Sequence, residues 1–238
     1  MYISMLDKII ICIISCDKNK NKQKYIRNTW IKNLIKYNIK YYFIMGTKSP
    51  KILKDNEYAI IDDILYLNCL DDYASLSSKV GSCINYVFYN TNFIWMYKID
   101  DDCYLNVNKL INLNFDQIDF YGKFIKSCKY KIWRLNERPY YLLLDKKIDF
   151  NFYAGGSGYI INRYAMEIIS KNLNFFKKHY LEDIGISKIL SKEGNIYITP
   201  NDYITNNYNN LHNLNLNSNV ITEVHDEGAM NNIHFLLD

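Results

Sequence analysis

The chain has 238 residues and a mass of 28.3 kDa, with 49% hydrophobic and 23% charged residues, the make-up of a globular protein rather than a disordered one. Its 29 Lys and Arg against 25 Asp and Glu leave a formal charge of +4, too mild a balance to signal nucleic-acid binding. A chain of this length can bury a sizeable core without disulfides or structural metals, and it reads as a single domain over 1–238.

The 23 Tyr and 31 Asn stand beside only 9 Gly and 3 Pro. That pattern fits an AT-rich coding sequence, so Tyr and Asn count as functional clues only where their position singles them out. The first apolar run, Ile9 to Ile14, lies between Asp7 and Asp17. It is far shorter than the ~20 residues of a membrane span and lacks the basic start of a signal peptide, so residues 8–14 read as a buried strand. No other segment is long enough to cross a bilayer, and a cytoplasmic protein is expected. Cys12, Cys16, Cys69, Cys83, Cys103 and Cys128 follow no zinc-site spacing and read as reduced thiols.

Residues 22–36 have Ile26, Trp30 and Leu34 spaced by four, a helical face. A strand pattern follows at 40–45, ending at Gly46, and a short apolar stretch at 59–67 is broken by Asp62 and Asp63. The clearest helix is 73–89, with Tyr73, Leu76, Val80, Cys83, Ile84, Val87 and Phe88 on one face and Asp71 or Asp72 as its cap. Residues 93–99 form the next strand and run straight into Asp100-Asp101-Asp102; a helix at 106–113 follows. This alternation is that of an α/β sheet, in which ligands collect outside the carboxyl ends of the strands. Further on, 119–126 and 149–153 read as strands. The turn Gly155-Gly156-Ser157-Gly158 precedes a helix at 163–171, and another helix spans about 183–191. The segment 206–219 holds eight Asn and reads as a loop or insert, not a domain.

The strongest chemical signal is Lys98-Ile99-Asp100-Asp101-Asp102. Adjacent carboxylates repel one another unless a cation neutralises them. In an extended chain Asp100 and Asp102 point the same way and Asp101 the other. Hard cations such as Mg2+ or Mn2+ suit such oxygens, commonly with substrate phosphates completing the shell; a solvated acidic turn is the plain alternative. Glu182-Asp183 opens a helix, where carboxylates are ordinary caps; a general base is the functional alternative. The Gly155–Gly158 turn matches neither phosphate-loop nor dinucleotide spacing, but its small residues let a substrate approach the backbone. None of His179, His212, His225 and His234 stands out on chemistry alone.

In this order the pieces resemble the inverting β-1,3-glycosyltransferases of the galactosyltransferase and Fringe type, glycosyltransferase family 31. Ile26-Arg27-Asn28-Thr29-Trp30 resembles the family's IR-x-TW element, and the stretch from Asp72 to Lys79 its D-x-Y-x-N-L-T-x-K helix, with Ser75 and Ser77 departing from Asn and Thr. Lys98 to Asp102 is similar to the K-x-DDD motif, Tyr153 to Tyr159 to the glycine turn, Glu182-Asp183-Ile184 to the E-D-V motif, and Val224-His225 with Met230 to the C-terminal H-x(4)-M region. The resemblance implies a GT-A fold with a Rossmann-like sheet, its nucleotide-binding half over 8–126 and its acceptor half over 127–238. It implies a UDP-sugar donor carrying galactose, N-acetylglucosamine or glucose, a glycan or glycoprotein acceptor, a β-1,3 linkage, and Mn2+ or Mg2+ as cofactor. By the same resemblance Asp102 and His225 are metal ligands and Asp183 is the general base. Arg27, Lys79, Asp100, Asp101, Gly155 and Gly156 fall to the donor, and Glu182, Trp133 and Tyr153 to the acceptor or to support. Two other readings stay open: a metal-dependent phosphohydrolase, and a non-catalytic sugar- or nucleotide-binding module.

Overall fold

The computed structural model describes residues 5–54, 56–126, 128–129, 147–148, 151–178, 181–193, 196, 203–208 and 213–238. In chain order the elements are β1 (Ile9–Ile14), α1 (Lys20–Asn28), α2 (Trp30–Lys36), β2 (Lys40–Gly46), α3 (Pro50–Leu53), β3 (Tyr58–Ile61), β4 (Ile64–Leu67), α4 (Leu76–Asn90) and β5 (Trp95–Asp100). Then come β6 (Tyr104–Leu105), α5 (Val107–Ile111), β7 (Phe120–Gly122), β8 (Phe124–Ile125), β9 (Cys128–Lys129), β10 (Lys147–Ile148), β11 (Phe152–Tyr153) and β12 (Tyr159–Asn162). The remainder is α6 (Arg163–Lys171), α7 (Leu173–Lys178), α8 (Glu182–Glu193), β13 (Thr205–Asn207), β14 (Val220–Thr222) and α9 (Glu227–Leu237).

A seven-stranded sheet runs in the order β3-β4-β2-β1-β5-β12-β7. Its centre, β4-β2-β1-β5, is parallel; β3 and β12 run against it. All six residues of β1 are buried, as a strand covered on both faces requires. Ile9, Ile11 and Ile13 face one layer with Phe43, Tyr97 and Ile99, where Ile26, Trp30, Ile31 and Leu34 of α1 and α2 pack. Ile10, Cys12 and Ile14 face the other with Ile44 and Met96, against Val80, Cys83, Ile84 and Val87 of α4 and the apolar sides of α6 and α8. The α/β class read from the sequence is therefore the architecture found.

Several elements differ from the sequence pattern. The helix expected over 22–36 is two helices broken at Thr29 (φ −119, ψ −113). The Thr29 hydroxyl bonds back to the Tyr25 carbonyl at 2.8 Å, a contact that competes with the helical ladder. Helix α4 starts at Leu76, and Tyr73 lies outside it, 59% exposed. The apolar stretch at 59–67 is the hairpin β3–β4, turned at Asp62 with φ +55. Part of the Asn-rich segment joins a small sheet, β13-β14-β6.

The strand ends that face the Asp cluster are tied together by one pair. Lys79 of α4, 3% exposed, donates to the Ser15 carbonyl at 2.8 Å and to Asp71 Oδ1 at 2.6 Å. Asp71 in turn accepts from the backbone of Gly46 and of Asp17, both at 2.9 Å. This ion pair thus ties the loop after β1 to the end of β2. Breaking a buried pair by removing one partner costs about 3–5 kcal/mol. Asp71 keeps 20% of its side chain exposed, so Lys79→Met is expected at the low end, about 3 kcal/mol less stable in urea unfolding, with Lys79→Met/Asp71→Asn recovering part of the loss.

Candidate functional site

Strand β5 carries Met96, Lys98 and Asp100 on one face, by the alternation that puts Tyr97 and Ile99 on the other. Lys98 has no exposed surface. Three oxygens surround its ammonium: Asp100 Oδ1 at 2.7 Å, Glu182 Oε1 at 2.8 Å and the Gly155 carbonyl, which accepts an N–H at 2.9 Å. Asp100 Oδ1 is enclosed and has no well-angled hydrogen bond among the described residues, so Lys98 reaches it as an ion pair. Burial by itself lowers an ammonium pKa, but Asp100 and Glu182 outweigh it and hold Lys98 charged. Glu182 Oε2 accepts from the Tyr159 hydroxyl at 3.0 Å. Burial pushes Glu182 up, against the pull of Lys98.

The glycine turn lies across this cluster. Its first three carbonyls are each tied to a donor: Gly155 to Lys98, Gly156 to the Cys103 thiol at 3.2 Å, Ser157 to the Tyr203 hydroxyl at 2.7 Å. Burial, with Asp102 and Asp100 adding, keeps the Cys103 thiol protonated and able to donate. The Gly155 N–H donates to Asp183 Oδ2 at 3.0 Å, while Asp183 Oδ1 accepts from the Ile184 N–H at 2.8 Å. A Cβ at Gly155 would lie 2.3 Å from Glu182 Oε1, and one at Gly156 3.9 Å from Asp100 Oδ2. A side chain at the first position would have to displace the buried Glu182 carboxylate from Lys98. Two consecutive glycines thus separate the Asp183 carboxylate from the Asp100 carboxylate.

Asp102 follows on the same rim, half-buried, and among the described residues its carboxylate meets only the Cys103 thiol at 3.6 Å. Its carbonyl accepts from the Val224 N–H at 2.8 Å, which sets His225, exposed, beside it in the chain. No group of three His, Cys, Asp or Glu side chains arranged to hold a metal ion by themselves occurs among the described residues. The Asp102 carboxylate, with no cation on it among the described residues, is the kind of oxygen ligand a hard divalent cation takes together with diphosphate oxygens, whereas an imidazole is a softer ligand.

Asp100, Gly155, Gly156, Glu182 and Asp183 are therefore brought to one rim, with Asp102 two residues beyond Asp100 and His225 one residue beyond Val224, whose N–H meets the Asp102 carbonyl. Other residues marked in the sequence are not. Asp101, 5% exposed, turns toward the end of β1, where Ser15 donates at 2.7 Å and Asn19 at 2.9 Å. Arg27 makes two 2.7 Å bonds to Asp63 and covers the Phe43 ring, on the opposite face of the sheet from Asp100. Lys79 is engaged by Asp71 and Ser15. Tyr153, 1% exposed, packs on Phe120 in the core. Trp133 lies outside the described residues. Of the partners the sequence did not assign, Lys98 carries a signal, a lone cation inside an apolar strand, and Asp71 is readable only as a helix cap. Nothing local marks Cys103 or Tyr203.

Comparison with known proteins gives the family and the fold. The family model described as galactosyltransferase matches residues 21–202. A human protein named UDP-GalNAc:beta-1,3-N-acetylgalactosaminyltransferase 2 is 26% identical over 141 residues, 57% of this chain and 27% of that protein. Its mouse counterpart is 24% identical over 140 residues, 56% of this chain and 27% of that protein. The matches thus span about a quarter of the length of these relatives. Among solved structures, a glycosyltransferase involved in glycosylation of the major capsid of PBCV-1 superposes with a TM-score of 0.51 at 9% identity, over 96% of this chain and 98% of that one. That likeness shows a shared GT-A-like fold.

The carboxyl groups of the rim predict a pH dependence. Burial raises Asp100 to about 6 and moves Asp101, Glu182 and Asp183 the same way. A carboxyl raised in this manner binds its proton more tightly in the folded state. Its contribution is full below the ordinary value, 3.8 for Asp100, and is lost as the pH rises through about 6. Asp63 runs the other way, because Arg27 outweighs its burial, but it titrates below 3.8. Metal-free protein is expected to melt at a higher temperature near pH 5 than near pH 7.5. Asp100→Asn should flatten that slope in thermal unfolding, and a slope unchanged in the variant contradicts the assignment.

Proposed function

The chain belongs to the galactosyltransferase family, and on that premise we propose that it moves a sugar from a UDP-sugar to an acceptor hydroxyl, with Asp183 as the general base and inversion at the anomeric carbon. The observation that carries this is the two-glycine step: Gly155 bonds Asp183 on one side, and Gly156 abuts Asp100 on the other. A donor lying over Gly155 and Gly156 has the acidic end of β5 on its diphosphate side and Asp183 on the side open to an acceptor.

Asp183 is half-buried, so an acceptor can reach it. Each of its oxygens accepts one backbone N–H and keeps a second lone pair. Burial raises its pKa, against the pull of those N–H groups and of Lys98, the direction that makes a carboxylate a better proton acceptor. The acceptor oxygen gives its proton to Asp183 as it bonds to the anomeric carbon. The bond from that carbon to the diphosphate oxygen breaks on the opposite side, and its electron pair leaves with UDP. Asp102 and His225 would hold Mn2+ or Mg2+, whose charge offsets the charge gathering on the leaving diphosphate. Asp100 faces the ribose and sugar, and Asp101 and Lys79 serve by fixing the loop after β1. Residues 8–126 form the nucleotide half and 127–238 the acceptor half. The relatives' names point to N-acetylgalactosamine as a donor sugar beside galactose, N-acetylglucosamine and glucose. A β-1,3 linkage to a glycan or glycoprotein follows the family resemblance. A two-metal phosphohydrolase needs more ligands than Asp102 and His225, and no third joins them among the described residues.

UDP release with Mn2+ and the four UDP-sugars tests this reading. Asp183→Asn should lower turnover by about 10²–10⁴, the worth of a general base, with UDP affinity unchanged. Asp102→Asn should abolish the Mn2+ dependence of UDP binding. Wild-type turnover in Asp183→Asn contradicts the base assignment.

A further inference from the structure

We propose that Lys98 is a positioning residue for Asp183, acting through Gly155; the proposal rests on the reading of Asp183 as the base. Gly155 is held from both ends. Its carbonyl takes an N–H of Lys98 at 2.9 Å, and its own N–H goes to Asp183 Oδ2 at 3.0 Å. Lys98 also holds Glu182, the residue before Asp183, at 2.8 Å. The buried ammonium therefore fixes Asp183 by two routes, one along the turn and one along the first turn of α8. Both routes begin on β5, the strand that ends in Asp100 and Asp102, so Lys98 sets the distance between the acidic strand end and the base.

The packing admits little slack. A side chain at Gly155 would collide with Glu182 Oε1 at 2.3 Å, and the next two carbonyls of the turn are pinned by Cys103 and Tyr203. Tyr203 is itself hydrogen-bonded to the Tyr97 hydroxyl of β5. A general stabilising role for Lys98 would need only charge balance, which Asp100 alone could supply. The contact to the Gly155 carbonyl adds nothing to charge balance; what it adds is placement. A catalytic group displaced by 1 Å loses on the order of 10² in rate.

Two variants separate placement from stability. Glu182→Gln removes one buried carboxylate and leaves Lys98 on Gly155. Lys98→Met/Glu182→Gln removes the cation too, without leaving two carboxylates facing one another. Turnover is normalised to the fraction of protein that binds UDP, and crystal structures of both variants are compared. The expected result is a kcat for Glu182→Gln lowered by up to about tenfold, since one of the two routes is weakened, a further loss of about 100-fold in the double variant, and Asp183 turned away from Gly155 in the double variant alone. A double variant with the kcat of Glu182→Gln, or with Asp183 still on Gly155, overturns the proposal. Should the double variant not fold, Lys98→Arg keeps the charge but not its reach; it should lose kcat at a retained donor KM, and an unchanged kcat overturns the proposal. A wild type that releases no UDP from any donor overturns the reading of Asp183 and this proposal with it. An active wild type, a silent Asp183→Asn and an unaffected Lys98 variant overturn the role of Lys98 alone.

Discussion

A lysine ammonium with no exposed surface sits under the rim, and oxygens from three separate parts of the chain meet on it: Asp100 at the end of β5, Gly155 in the glycine turn and Glu182 at the start of α8. A charge removed from water is tolerated only when paired and hydrogen-bonded, so these three segments can come together in one way. The order of the rim follows. Asp183 is next to Glu182, Gly156 next to Gly155, and Asp102 two residues beyond Asp100. The central sheet supplies the rigid base for this arrangement, because β1 and β5 are buried on both faces and pair along their full lengths.

Much of the fold is legible in the sequence because burial leaves a periodic trace. The unbroken apolar run of β1, the four-spaced face of α4 and the apolar stretch ending in Asp100 give the α/β alternation directly. What is not legible depends on contacts distant in sequence. Thr29 breaks a helix whose apolar spacing continues through it. Strands β6 and β14 are two and three residues long and exist because they pair with each other, a fact no local pattern encodes.

The site divides along the same line. Asp100, Asp102, Gly155, Gly156, Glu182 and Asp183 are recognisable as residue types set at element ends, and the structure gathers them. Arg27 and Lys79 carry the same kind of motif signal, yet each is bound to a nearby carboxylate, Asp63 and Asp71. Sequence shows a cation but not its partner, and a cation that already has one is not presented to a ligand. Asp101 makes the point within a single motif: in the turn after β5 it faces away from the glycine turn, to Ser15 and Asn19. The reverse holds for Lys98, whose importance lies in three partners separated from it by up to 84 residues of chain.

A crystal structure of the protein with UDP and Mn2+ tests the central claim most directly. The account places the diphosphate at the carboxyl end of β5, with Mn2+ on Asp102 and His225 and the donor lying over Gly155 and Gly156. Another hollow of about 690 Å³ lies beside Tyr41, Asp62 and Asp63. A nucleotide bound there, or a metal held away from Asp102, contradicts the account.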